Sequence, residues 1–147
     1  MPVEVFSGAK IALLCEGQVL VYRRDDKPGI PFPGCWDLPG GGREGSETAL
    51  ECALRELHEE FALVLPGIEI LWSRRYPGLQ TGGQATHFFV APVTSADIAV
   101  IRFGNEGQYW RMMPIGEYLA LPDAIPHLQR RLVEYLAACI PSGEAPR

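Results

Sequence analysis

The segment GGREGSETALECALRELHEEFAL, residues Gly41 to Leu63, sets a glycine-rich stretch directly before a helix. Thr48, with Glu51 three residues on, is a capping-box pair, in which each side chain satisfies a backbone N–H at the helix start. Leu50, Ala53, Leu54, Leu57 and Phe61 then recur at helical spacing, so the pattern predicts a helix from Thr48 to about Glu60 or Phe61. Immediately upstream, Gly40, Gly41 and Gly42 read as a flexible turn whose backbone another group can approach closely.

The same helix carries an acidic cluster. At about 100° per residue, Glu56, Glu59 and Glu60 fall within roughly 100° of arc, and the apolar stripe centres roughly 120° away. Like charges one turn apart repel, and the C-terminal end of the helix dipole disfavours anions, so helix stability alone does not select this arrangement. A hard divalent cation such as Mg²⁺ reverses the argument, because it takes carboxylate oxygens and keeps positions open for phosphate oxygens. The plain alternative is a solvated acidic face, with Arg55 paired to Glu51 and Glu59 four residues to either side.

Before this segment, Lys10–Cys15 and Gln18–Arg24 are β-rich runs joined by Glu16-Gly17, a hairpin signal. Pro28, Pro31 and Pro33 make Asp25–Gly34 a stiffened loop. After it, Ile68–Tyr76 and Gln84–Val93 read as strands, and Tyr109–Met113 as a short one. A helix from about Ala124 to Ile140 carries the apolar stripe Leu128, Leu132, Tyr135, Leu136 and Ile140. Strands around two helices give a single mixed α/β domain over residues 1–140, with 141–147 as a flexible tail.

The 147 residues are long enough to bury a sizeable core. Thirteen Lys and Arg against 18 Asp and Glu leave a net charge of −5, which disfavours a nucleic-acid polymer or an anionic membrane as partner. The opening residues lack a basic n-region, and Ile11–Cys15 is too short for a signal-peptide core or a membrane span, so a cytoplasmic protein is expected. Cys15, Cys35, Cys52 and Cys139 have no zinc-ligand spacing and are expected to be reduced, mostly buried thiols. His58, His87 and His127 form no catalytic pattern.

Gly41, five residues, Glu47, seven residues, then Arg55-Glu56-Leu57-His58-Glu59-Glu60 and the apolar Leu63 resemble the Nudix box, the signature of the Nudix hydrolases. Trp36-Asp37-Leu38-Pro39-Gly40-Gly41 resembles the family's approach to the box, and Gly104-Asn105-Glu106-Gly107-Gln108 a downstream segment of MutT-type members. The resemblance implies an α/β/α sandwich around a mixed β-sheet. It also implies cleavage of a nucleoside diphosphate linked to another group, by water attacking phosphorus with Mg²⁺, or Mn²⁺, neutralising charge.

By position, the resemblance makes Glu56, Glu59 and Glu60 metal ligands, with the carbonyl of Gly40 as a further one. Arg55 orients the carboxylates through Glu47, and Glu106 is a metal ligand or the general base; Glu47 and Glu59 count among the catalytic residues. Strand alternation sends Arg23 and Arg24 to opposite faces. Arg24 is taken as the phosphate or base contact, with Leu38, Gly40 and Gly41 also on the substrate side; Arg23 is left as an exposed sheet residue and Trp36 as packing. The implied substrate is a small nucleotide, first a nucleoside triphosphate giving a monophosphate and pyrophosphate. Tyr76 and Pro77 keep a nucleotide sugar or dinucleoside polyphosphate open. A nucleotide-binding module without turnover is the alternative of another class, although no box glutamate is lost. Where the family has Gly two residues after the last box glutamate, this chain has Ala62, strained if the backbone there is left-handed.

Overall fold

In the computed structural model, which describes residues 4–78 and 83–139, β1 (Phe6–Cys15) and β2 (Gln18–Arg23) form the expected hairpin. Glu16 and Gly17 both have positive φ, the turn geometry that matches strand twist. There follow β3 (Trp36–Asp37), β4 (Gly40–Gly42), α1 (Ala49–Phe61), β5 (Trp72–Tyr76), β6 (Ala85–Pro92), α2 (Ser95–Ala99), β7 (Tyr109–Pro114), α3 (Ile115–Ala120) and α4 (Pro126–Ala138). The strands make one seven-stranded mixed sheet ordered β3-β2-β1-β6-β5, with β4 paired to β1 and β7 to β2. β1 runs parallel to β6 and antiparallel to β2 and β4.

Strand alternation divides the core into two layers. Ile11, Leu13, Leu20, Tyr22, Phe89 and Ala91 pack with Cys52, Ala53, Leu57 and Phe61 of α1. Ala12, Val19, Val21, Phe88 and Val90 pack on the other face with Tyr118 of α3 and Leu128 and Leu132 of α4. The result is the expected α/β/α sandwich.

Several local expectations are corrected. The three glycines are a strand, with Gly40, Gly41 and Gly42 opposite Lys10, Ala9 and Gly8, because a Cβ-free ribbon fits tightly against β1. At Gly40, whose φ is 133°, an added Cβ would lie 2.1 Å from the Ala9 carbonyl oxygen. β5 begins only at Trp72; Ile68 and Ile70 pack on the α1 layer without ladder pairing. The short helices α2 and α3 had no periodic signal long enough to register. α4 starts at Pro126, whose missing N–H is tolerated only in a first turn; Ile140 and the tail 141–147 lie outside the described residues. Of the free thiols only Cys52 is buried; Cys15 and Cys35 are half-buried and Cys139 is exposed.

The α1 capping box forms as predicted, Thr48 accepting from the Glu51 N–H and Glu51 from the Thr48 N–H. At the other end Ala62 is left-handed, φ 54° and ψ 32°. Ala62→Gly is therefore expected to raise unfolding stability by about 1 kcal/mol, relief of Cβ strain outweighing the greater freedom of Gly in the unfolded chain. A denaturant titration checks this; an unchanged or lowered midpoint counts against strain at this site.

Candidate active site

Two backbone features bring the box residues to one place. The glycine strand passes so close to α1 that an added Cβ on Gly41 would lie 2.6 Å from a Glu56 carboxylate oxygen. Beyond the helix, the Arg102 N–H donates to the Phe61 carbonyl and the Gly104 N–H to that of Glu60, each at 2.9 Å. The loop after Gly104 is thereby fixed to the C-terminal end of α1. It then crosses to β2, where the Gln108 N–H donates to the Arg23 carbonyl.

Glu56, Glu59, Glu60, Gly104, Asn105 and Glu106 line the resulting cleft of about 200 Å³. It shares Glu106 with a cavity of about 280 Å³ that is also bordered by Tyr22, Arg24, Asp25, Lys27, Ile30 and Gly107. Four carboxylates thus share one recess, and next to it stand two cations.

Arg55 organises the acids. Its Nη2 donates to Glu47 Oε1 at 2.8 Å and to the Gly42 carbonyl at 2.7 Å, and its Nε to Glu47 Oε2 at 3.0 Å. Nη1 reaches Glu56 at 2.8 Å and Glu59 at 3.1 Å. The pairing with Glu51 expected of a simple acidic face is absent, because Glu51 is committed to the helix cap. Hydrogen bonds from Arg55 hold the Glu47 carboxyl down to about 2.

Glu60 does not lie on a solvated face. It is 8% exposed, its Oε1 accepts from the Gly40 N–H at 2.9 Å, and burial pushes its carboxyl up to about 8. The α1 face turned inward is accordingly Ala49, Cys52, Ala53, Leu57, Glu60 and Phe61, while Leu50 and Leu54 are half-buried.

The glycine strand is held from its other side by Lys10. Its Nζ donates to Asp37 Oδ2 at 3.0 Å, the Leu38 carbonyl at 3.1 Å and the Gly40 carbonyl at 3.2 Å. Fully buried Asp37 also accepts from the Tyr22 hydroxyl and Arg24 Nη1, both at 2.9 Å. Sequence reading missed this knot; its only signals were a lone Lys opening an apolar strand and an Asp between Trp36 and Leu38.

Two expectations are corrected here. Leu38 is fully buried in the core layer facing α4 and its carbonyl is taken by Lys10, so its side chain cannot meet a substrate. Arg23 is not an exposed sheet residue, since it lies over the Trp36 ring and pairs with Asp123 at 3.2 Å. Trp36 is packed, as expected, and Arg24 borders the cavity next to the acidic cleft.

The donor set suits a hard divalent cation, because four of the side chains it offers are carboxylates, the fifth is the amide of Asn105, and among the described residues only Arg55 offsets the acidic charge by direct contact. Among the described residues, no three His, Cys, Asp or Glu side chains are already gathered as an ion-holding cluster. Arg55 holds Glu56 and Glu59, and the Gly40 N–H holds Glu60. The carbonyl of Gly40 is likewise engaged by Lys10. No helix among the described residues is long and apolar enough to cross a membrane.

The model of the NUDIX domain family matches residues 7–136. The chain is 28% identical over 130 residues to an RNA pyrophosphohydrolase of Erythrobacter litoralis, covering 77% of this chain and 73% of that protein. Its fold is similar to that of a MutT protein from Methanosarcina mazei, with a TM-score of 0.69, 17% identity and coverage of 92% and 96%. A C. elegans Ap4A hydrolase gives a TM-score of 0.65 at 19% identity, covering 89% and 98%. The family match runs over most of the chain and takes in both the helix and the glycine strand that build the cleft, so the chain belongs to the Nudix family and is a hydrolase of phosphoric anhydrides.

Proposed function

We propose that the protein is a Mg²⁺-dependent pyrophosphohydrolase that acts in the cytoplasm on a nucleoside triphosphate, or another small compound built on a nucleoside diphosphate. The observation that carries this reading is the acidic cleft opening, through Glu106, into a recess bearing Arg24 and Lys27. Such a recess matches a polyphosphate chain, with its metal-binding part over the acids and its remainder beside the cations.

In this reading Glu56, Glu59 and Glu60 hold the divalent ion, Mn²⁺ serving in place of Mg²⁺. When bound, the ion neutralises phosphate charge and makes the attacking water more acidic. Arg55 keeps Glu56 and Glu59 oriented and is itself fixed by Glu47, whose lowered pKa suits it to an anchor and makes it a poor base. Arg24 binds a phosphate or base, held by Asp37 and by its Nε bond to the Pro31 carbonyl. Glu106 is exposed on the loop, has no ion-pair partner among the described residues and faces both recesses, so it takes the proton from water.

Glu106→Gln is expected to lower the rate at least about 10-fold and to alter the acidic limb of the pH–rate profile, with Mg²⁺ activation nearly unchanged. Weaker Mg²⁺ activation instead makes Glu106 a ligand. Unchanged rate and metal dependence remove it from the active site.

The function is tested by measuring product release from nucleoside triphosphates, dinucleoside polyphosphates, nucleotide sugars and a 5′-triphosphorylated oligoribonucleotide, each with and without Mg²⁺ or Mn²⁺. The second, third and fourth groups of substrates probe the alternatives that the relatives' names and Tyr76 raise. Metal-dependent release of pyrophosphate from a free nucleotide supports the reading. Binding without turnover of any of them leaves a nucleotide-binding module.

A further inference from the structure

A third cavity, of about 240 Å³, lies on the face of the sheet away from α1 and is bordered by Lys10, Gly41, Gly42, Thr86, His127 and Arg131, with no acidic residue in its lining. Arg131 is the unusual member. It sits on the apolar stripe of α4 between Leu128 and Tyr135, is 5% exposed, and makes no hydrogen bond or salt bridge among the described residues. Its guanidinium carbon lies 4.1 Å from the centroid of the Tyr76 ring, which compensates part of the charge but satisfies none of its five N–H donors.

Glu134, which accepts from Arg74 and from the Tyr76 hydroxyl, attracts Arg131 without touching it. A buried cation with no carboxylate in contact is still costly, and an apolar side chain of similar length would fill this stripe better. Core packing therefore gives no reason for Arg131. Thr86 adds a second unsatisfied group, since its Oγ1 is buried with no hydrogen-bond partner. Lys10 has all three donors engaged and contributes positive charge alone. His127 is pushed down to about 4 by burial and by the nearby charges of Arg131 and Arg130, so it is neutral at pH 7 and keeps a ring N–H.

We infer that this cavity is an oxyanion subsite, with Arg131 as its principal donor and Thr86 as a second, for a phosphoryl group other than the one attacked. The inference deepens the proposed function and rests on it for the identity of the ligand as part of the substrate. Gly41 connects the two sites, because it lines this cavity and also abuts the Glu56 carboxylate. A phosphoryl chain crossing the glycine strand would find no side chain in its path at Gly41 or Gly42.

The test uses the full chain without divalent metal and inorganic pyrophosphate as the probe, followed by calorimetry and by amide chemical shifts. Arg131→Met is expected to weaken binding about 10-fold or more, the scale of a lost charge-assisted hydrogen bond pair. Arg131→Lys should recover part of that loss, and Thr86→Val should lose about 3-fold. Arg130→Met, an exposed change of equal charge on the same helix, should stay within about twofold of the parent. Pyrophosphate should shift the amides of Gly41, Gly42 and Thr86.

Thermal melts establish that each variant is folded; if Arg131→Met is not, Arg131→Lys and Thr86→Val carry the comparison. The inference is overturned by a parent that does not bind pyrophosphate, by Arg131 variants that bind it as the parent does, or by equal loss in Arg130→Met. It is also overturned if a neutral nucleoside shifts those amides and pyrophosphate does not. Because binding is read without metal or turnover, failure to hydrolyse any nucleotide leaves this result intact. A raised KM in Arg131→Met with kcat preserved identifies the anion as the substrate's own, and an unchanged KM identifies a free phosphate.

Discussion

Glu60→Gln is expected to reduce turnover at least about 100-fold at saturating Mg²⁺, while the metal-free protein stays as stable as the parent or becomes more so. Both halves follow from its burial. Glu60 is proposed as a metal ligand, and Gln removes the charge that holds the ion, although its amide oxygen still accepts from the Gly40 N–H. The folded protein without metal disfavours the carboxylate, having raised its pKa from 4.5 to about 8.

A raised folded-state pKa means that stability is fully present below about pH 4.5 and is lost as pH climbs to about 8, since the unfolded chain gives up the proton first. Gln does not titrate, so melting temperatures of variant and parent, measured in chelator across that interval, should diverge with the variant higher at alkaline pH. Bound Mg²⁺ should erase the divergence in the parent by favouring the carboxylate. Near-parental turnover in the variant removes Glu60 from the metal site, and parallel melting curves remove the burial argument.

Leu57→Ala has the opposite profile. Leu57 is fully buried between α1 and the sheet, beside Phe61 and Ala53, so truncation leaves a cavity and should lower unfolding stability by about 2–5 kcal/mol. Its neighbours Glu56 and Glu60 point to the cleft, and turnover at a temperature where the variant remains folded should stay within about threefold. Denaturant titration read beside turnover separates the two effects. An unchanged unfolding midpoint contradicts the packing seen for α1.

What the sequence made legible was local. The hairpin at Glu16-Gly17, the Thr48–Glu51 cap, the length of α1 and the left-handed Ala62 all depend on near neighbours in the chain. The glycine strand was read as a flexible turn because residues without side chains carry no alternation, and its order comes from β1, about 30 residues away. Glu60 looked solvated for a related reason, because helical angle alone could not show that the Gly40 backbone and the loop after Gly104 would close over that side of α1. Lys10, Asp37 and Arg131 belong to three distant segments; the first two are single polar residues among apolar ones, whereas Arg131 directly follows the polar Gln129 and Arg130. Arg131 at least had a signal, a charged residue at a stripe position of α4.

The parallel pairing of β1 with β6, Phe6 opposite Ala85 and Leu14 opposite Pro92, has a consequence during synthesis. At about 5–20 residues added per second, the first hairpin leaves the ribosome several seconds before its parallel partner has been made. One edge of β1 is covered early, by β2 near Cys15 and by the glycine strand at Gly8–Lys10. The other edge, carrying Ile11, Ala12, Leu13 and Leu14, stays open until residue 92 emerges. An apolar strand edge left unpaired for that long is the site at which neighbouring nascent chains on one message can join, and it makes the pace of translation between β1 and β6 a determinant of yield.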